Sequence, residues 1–240
     1  MTHVSLFTGI GGLDLAAEWA GFETILQVEI DDYANKVLEK HWPTVPRVRD
    51  VRNVNRGSVN RPVTVISGGF PCQPFSTAAR GRNNAEDLWP EMLRVIKLVS
   101  PAWVIAENVQ RTPILQSAED LEHIGYRSSI FMLPACGVGS PQARLRWFVV
   151  SNTNGNSESF STFNAKMVSL QCFSEVDKWP EPPGGLGVAN GIPHRVDRLK
   201  CLGNAVVPQQ AYPIFKAISL VEGSEYALVR QGKEADTYTV

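Results

Sequence analysis

Six short apolar runs punctuate the first 150 residues: "VSLF" (4–7), "TILQVEI" (24–30), "VTVIS" (63–67), "AWVIAEN" (102–108), "SSIFML" (128–133) and "RWFVV" (146–150). Their length and β-branched content predict buried parallel strands. Stretches with helical spacing lie between several of them, over 12–20, 31–41, 89–99 and 114–124. Gly21 and Pro43 are placed to stop the first two of these helices. Such alternation predicts an α/β fold, a Rossmann-like doubly wound sheet that is mostly parallel. From Ser151 to about Arg195 the period dissolves into "SNTNGNSESFSTFN" and the Pro/Gly-rich "KWPEPPGGLGVANGIP", read as a small irregular insert. Periodicity returns in "HRVDRLKCLGN" and "PQQAYPIFKAISLVEG", two short closing helices. The expected division is therefore 1–150, 151–195 and 196–240.

Composition narrows the picture only a little. The 240 residues suit one sizeable domain, and 43% hydrophobic with 20% charged residues is ordinary for a soluble protein. No apolar run is long enough to span a membrane, and the start lacks the pattern of a signal peptide, so a cytoplasmic location is expected. A net charge of −1 does not advertise nucleic-acid binding, although a local basic face can coexist with a neutral whole. Cys72, Cys136, Cys172 and Cys201 form no CxxC pair, which points to reduced thiols and no structural metal.

Chemistry concentrates where the predicted strands end. Phe7 leads into Gly9-x-Gly11-Gly12, and Glu29 stands at the end of the next strand. Glycines there admit a ligand to the backbone, and a carboxylate about 20 residues on can take two ribose hydroxyls. The GxGG spacing suits an adenosine-bearing ligand without a pyrophosphate, or merely a tight strand–helix turn. Asp50, after "VPRV", is either a third carboxylate at the same edge or a helix cap. "GGFPCQPFS" (68–76) holds Cys72 between Pro71 and Pro74. Prolines restrict the backbone and aim the thiol, and nearby positive charge would lower its pKa from roughly 8.5. Glu107, ahead of Asn108, is a proton donor near neutral pH if it is partly buried, or a helix cap. Arg144 and Arg146 alternate into an apolar run, so both are expected on one face, as an anion clamp or a solvated strand edge. "LGNAVVP" (202–208) reads as an ordinary turn before the last helix.

Taken in order, FTGIGG, VEIDDYA, RDV, GGFPCQPFS, ENV, QARLR and GNAVVP closely resemble the C5-cytosine DNA methyltransferase family. The resemblance covers residues 3–150 and about 190–220. It implies a class I S-adenosylmethionine-dependent enzyme that needs no metal, acts on double-stranded DNA as a monomer, and flips the target base out of the helix. By resemblance Cys72 is the nucleophile, Glu107 holds the N3 edge of cytosine, and Arg146 holds its O2. Arg144 helps with the nearby DNA backbone, while Asn108 and Gln142 orient their neighbours. Phe7, Gly9, Gly11, Gly12, Glu29, Asp50, Val51, Gly69, Pro71, Asn204 and Ala205 surround the methyl donor. Ile30 stands where family members often carry Trp. Gln73, Ser76, Arg80 and Arg82 fall in the segment expected to close on DNA, with Lys166, Lys178 and Arg195 as further DNA contacts.

The family usually inserts a larger recognition domain than residues 151–195 can form. These hold Lys166, Lys178 and Arg195 against Glu158, Glu175, Asp177 and Glu181. Base-edge contacts worth roughly 1–3 kcal/mol each would then be few, implying a recognition sequence of about two to four base pairs. A tRNA cytosine methyltransferase on the same scaffold, or a non-catalytic DNA-binding relative, would carry a similar pattern. A restriction partner, a phage protecting its genome and an orphan regulator also look alike, and a cognate restriction enzyme stays unspecified.

Overall fold

The computed structural model describes residues 1–71, 86–153, 157–170 and 194–235. Seven strands form one sheet: β1 (Thr2–Leu6), β2 (Glu23–Val28), β3 (Arg47–Val48), β4 (Val65–Gly69), β5 (Trp103–Asn108), β6 (Arg127–Pro134) and β7 (Leu145–Asn152). Their order is β3-β2-β1-β4-β5-β7-β6. The chain winds outward one way from β1 and the other way from β4, so the crevice between those two strands is the switch point where open α/β sheets bind ligands.

β1 to β5 pair in parallel, but β7 runs antiparallel to both β5 and β6. The expectation of parallel strands throughout therefore fails at "RWFVV". Only residues 135–144, with one 3-10 turn (Ala135–Val138), join β6 to β7. That is too short for the crossover a parallel pair requires. The sheet also gains β3, a two-residue strand whose pairing of Gln27 with Arg47 and Val28 with Val48 leaves little period to read in the sequence.

Successive residues of the central strands enter opposite layers. Ile66, Val104, Ala106 and Val149 pack against α3 (Trp89–Val99) and α4 (Arg111–His123). Val65, Trp103, Ile105, Phe148 and Val150 pack against α1 (Gly12–Trp19) and α7 (Pro208–Ala235). Burial on both faces explains why the strands read as continuous apolar runs. The remaining helices are α2 (Asp32–His41), α5 (Ser157–Leu170) and α6 (Arg195–Asn204).

Helix α5 lies where the sequence lacks a steady period. Phe160, Phe163 and Met167 are buried at helical spacing, with the Phe163 ring 5.1 Å from Trp103 and 5.9 Å from Phe131. Ser, Thr and Asn around them are weak helix formers, so packing on the sheet rather than local preference makes this helix. The closing helices also differ from expectation, because α7 runs for 28 residues. Among the described residues no helix is long and apolar enough to cross a membrane.

Candidate active site

The carboxyl ends of β1, β2, β4 and β5 and the start of β7 open into one cleft of about 1000 Å³. Its walls bring together Phe7, Gly9, Gly12, Glu29, Ile30, Asp50, Val51, Gly69, Pro71, Glu107, Asn108, Arg146, Asn204 and Ala205, all singled out from the sequence. Gly11, Arg144, Gln142, Lys166 and Arg195 are not among its lining residues. Cys72, Gln73, Ser76, Arg80, Arg82 and Lys178 lie outside the described residues.

The glycine turn is stitched to β2 by Thr8, which the sequence reading passed over. Its backbone N–H donates to the Val28 carbonyl at 3.0 Å, and its hydroxyl oxygen accepts from the Val28 N–H at 3.1 Å. Phe7 is held at φ 53°, a left-handed conformation that a bulky residue keeps only under constraint. Gly11 turns its missing side chain toward Trp42, where a Cβ would come within 2.4 Å of the indole. Gly12 meets the chain's far end, where a Cβ would stand 2.4 Å from the carbonyl oxygen of Val206. The "LGNAVVP" segment thus seats directly on the glycine turn and supplies one wall of the cleft.

Behind this turn, buried Asp14 on α1 accepts from the Ser5 hydroxyl at 2.8 Å and from Gln27 Nε2 at 2.9 Å. Burial pushes its carboxyl up to about 6, against the pull of these two bonds. His3 on β1 sits equally deep, between Thr24 and Ser67, and burial drives it down to about 3, so the ring stays neutral.

Glu29 is oriented by backbone. Gly9 N–H donates to Oε2 at 2.6 Å and Asp31 N–H to Oε1 at 2.8 Å, leaving each oxygen further acceptor capacity. Beside it Ile30, 64% exposed, presents an apolar wall. Asp50 accepts from the backbone N–H of Arg52 at 3.0 Å and from its guanidinium at 3.1 Å; these contacts hold its carboxyl below the usual range. The turn is thus capped, and Asp50 still lines the cleft. These groups fit an adenosine-bearing ligand: a fixed carboxylate to accept from hydroxyls, an aliphatic face for a purine, and glycine backbone for close approach.

A second charged contact closes this end. Lys200 on α6 donates to Asp31 Oδ2 at 2.7 Å, and both residues line the cleft. The hydrogen bond from Lys200 holds the Asp31 carboxyl below its usual range. With the partners 169 positions apart in the chain, no local pattern could have pointed to it.

At the other end, Glu107 on β5 faces Arg146 on β7. Nε of Arg146 lies 2.8 Å from Oε1 of Glu107, with both side chains less than a tenth exposed. The contact is an ion pair rather than an aligned hydrogen bond, because that oxygen has no hydrogen-bond donor in line. Burial raises the Glu107 carboxyl to about 7, although Arg146 and Arg144 both pull it down. Gly69 makes room for it, since a Cβ there would stand 2.7 Å from Oε2. Asn108 donates from Nδ2 to the Phe70 carbonyl at 3.1 Å and accepts from the Gln110 N–H at 2.9 Å, which fixes the exit of β4 against β5.

Arg144 lies just before β7, outside the strand that carries Arg146. Its φ of 27° and its place before β7 break the strand alternation, and its Nη2 donates to the carbonyls of Gly203 at 2.7 Å and Ala205 at 2.5 Å. Those carbonyls end helix α6, so the guanidinium serves as its C-terminal cap. Gln142 is exposed, and its backbone N–H donates to Ser140 Oγ at 3.2 Å. Lys166 and Arg195 stand exposed on α5 and α6.

The chain is similar to known proteins in sequence and in fold. The sequence profile of C-5 cytosine-specific DNA methylase matches residues 1–178. The type II methyltransferase M1.HphI of Haemophilus parahaemolyticus is 34% identical over 182 residues, covering 67% of this chain and 48% of that protein. M.AluI of Cellulosimicrobium cellulans is 35% identical over 172 residues, covering 62% and 33%. The chain therefore spans about half or less of the length of these relatives. A mutant of DNMT2 from Spodoptera frugiperda shares the fold, with a TM-score of 0.55 and 21% identity over 65% of this chain and 51% of its own. The profile match spans most of the chain: this protein belongs to the C-5 cytosine-specific DNA methylase family.

Proposed function

We propose that the chain transfers the methyl group of S-adenosylmethionine to C5 of a cytosine flipped out of duplex DNA. The observation that carries this reading is the buried Glu107–Arg146 pair, in one cleft with the glycine turn and Glu29. Glu29 would hold the ribose, Ile30 the adenine face, and the backbone around Gly9 and Gly12 the amino-acid end. When bound, S-adenosylmethionine supplies an electrophilic methyl group on sulfur.

The chain's own residues then make cytosine reactive, because C5 alone is a poor nucleophile. Cys72 adds as thiolate to C6, the C5–C6 π electrons shift toward N3, and Glu107 in its protonated form delivers a proton to N3. Arg146 donates to O2 and disperses the negative charge. C5 would take the methyl group, leaving S-adenosylhomocysteine, and N3 returns its proton to Glu107; water takes the C5 proton, and the electrons of that C–H bond re-form C5=C6 and expel the Cys72 thiolate. The Arg146 guanidinium at this end of the cleft would favour the thiolate. A carboxyl held near 7 is protonated often enough at neutral pH to serve as the donor. Specificity would rest on residues 151–195 and would be short or degenerate, acting in a restriction-modification setting like that of the named relatives.

The test is transfer of labelled methyl from S-adenosylmethionine to unmethylated duplex DNA, with total tRNA as the parallel substrate. Transfer to DNA, with a covalent adduct on 5-fluorocytosine duplex that Cys72→Ser abolishes, is the expected result. Transfer to tRNA alone, or an adduct that persists in Cys72→Ser, would refute it. Bisulfite sequencing of the methylated DNA reads the specificity, and a strict six-base site would contradict a short recognition sequence.

A further inference from the structure

We propose that Trp89 and Asp120 are positioning residues for Cys72, acting through Phe70 and Pro71, the residues that precede it; this rests on the functional reading above. β4 ends at Gly69, and Phe70 and Pro71 lead directly into Cys72 in the sequence. Three contacts hold those two residues, one from β5 and two from the start of α3. Asn108 on β5 donates to the Phe70 carbonyl at 3.1 Å. The Phe70 ring lies against the Trp89 indole, with centroids 5.1 Å apart and planes at 49°. The Leu88 N–H faces the Pro71 carbonyl at 3.4 Å.

Trp89 is itself fixed in two ways. Its Nε1 donates to Asp120 Oδ2 on α4 at 2.8 Å, and its backbone N–H to Asp87 Oδ1 at 3.0 Å. Gln116, one turn before Asp120, donates to the other carboxylate oxygen at 3.2 Å. Packing against Phe70 alone would need only apolar bulk. The indole adds one directional bond, and that bond sets how the ring meets Phe70. A ring free to tilt would let the Phe70–Pro71 backbone shift, and displacements of about 1 Å at a reacting group can cost on the order of 100-fold in rate. Asp120 lines no part of the cleft, so its influence on chemistry must pass through Trp89.

The test uses the full chain and measures the rate of covalent adduct formation on 5-fluorocytosine duplex with S-adenosylmethionine. Alongside it run the Kd for S-adenosylhomocysteine and the melting temperature. Trp89→Phe keeps an aromatic ring but loses the N–H and part of the indole's bulk, Asp120→Ala loses the acceptor with Trp89 intact, and Asp120→Asn keeps one acceptor oxygen. The expected result is an adduct rate about 10-fold lower in Trp89→Phe and Asp120→Ala, with Kd unchanged. Asp120→Asn should recover most of the rate, and the double variant Trp89→Phe/Asp120→Ala should be no slower than either single one. Wild-type rates in both single variants, additive losses in the double, or a loss that follows melting temperature with no rescue by Asp120→Asn would overturn the inference. If wild type binds cofactor and duplex yet forms no adduct, the functional reading fails and the inference falls with it.

Discussion

Replacing Gly12 with alanine should damage cofactor binding from the far side of the fold. The added Cβ would stand 2.4 Å from the Val206 carbonyl oxygen, 3.3 Å from its carbonyl carbon and 3.4 Å from its nitrogen. Ordinary contact begins near 3.4 Å, so backbone must yield by about 1 Å, and no side-chain rotation can relieve it. Val206 belongs to the buried cluster that includes Leu13 and Ala211, while Asn204 and Ala205 just before it line the cleft. The displacement therefore carries the cleft wall with it. Overpacking of this kind costs about 1–3 kcal/mol, which for a chain of this size lowers the melting temperature by about 2–12 °C. S-adenosylhomocysteine should bind at least about 10-fold more weakly, equivalent to about 1.4 kcal/mol. Thermal melts with and without ligand, together with calorimetric titration, measure both effects. Gly21→Ala is the control: Gly21 has φ +89° and nothing within 4 Å of its Cβ position, so strain alone should lower stability and leave affinity intact. A Gly12→Ala protein with wild-type melting temperature and affinity, or a Gly21→Ala protein equally impaired in binding, would refute the close-approach reasoning.

Three further predictions follow from the charged groups. Glu107→Gln should lower kcat by at least about 100-fold, and wild-type kcat should fall above about pH 7 as the carboxyl loses its proton, a limb absent from the variant's pH profile. His3 has a folded pKa of about 3 against 6.5 unfolded, so its neutral form stabilises the fold above pH 6.5 and that contribution is lost as pH falls toward 3. The stability difference between wild type and His3→Asn, measured by urea titration, should therefore shrink by about 1.4 kcal/mol per pH unit from pH 6 to 4; a difference constant with pH would contradict it. Arg144→Ala should weaken S-adenosylhomocysteine binding without DNA present, because it uncaps α6, and Arg144→Lys should recover only part, since one ammonium cannot span the carbonyls of Gly203 and Ala205. An unchanged affinity in Arg144→Ala would return that residue to a DNA contact.

Much of the site was legible because its residues sit where strands end. A strand announces itself by a few apolar residues, and the next residues in the chain must lie at its carboxyl edge, so Phe7, Glu29, Gly69 and Glu107 could be placed without coordinates. Even the raised carboxyl of Glu107 followed from expecting it to be partly buried. The contacts of Arg144 at the end of α6 were not legible, because alternation applies only inside a strand and its left-handed backbone lies one residue before β7 begins.

By itself, then, the sequence determined the α/β class, the four predicted helices between strands, the chemical types at each strand end and the family resemblance, since all of these are written in short-range periodicity and motifs. Tertiary structure alone decided the rest. It turned β7 antiparallel, because ten residues cannot carry a parallel crossover. It made α5 a helix by burying Phe160, Phe163 and Met167 in a segment of weak helix formers. It brought Lys200 to Asp31 and seated Val206 on Gly12, contacts across more than 160 residues. Such pairings depend on which faces the packed sheet leaves open, and no pattern confined to neighbouring residues encodes them.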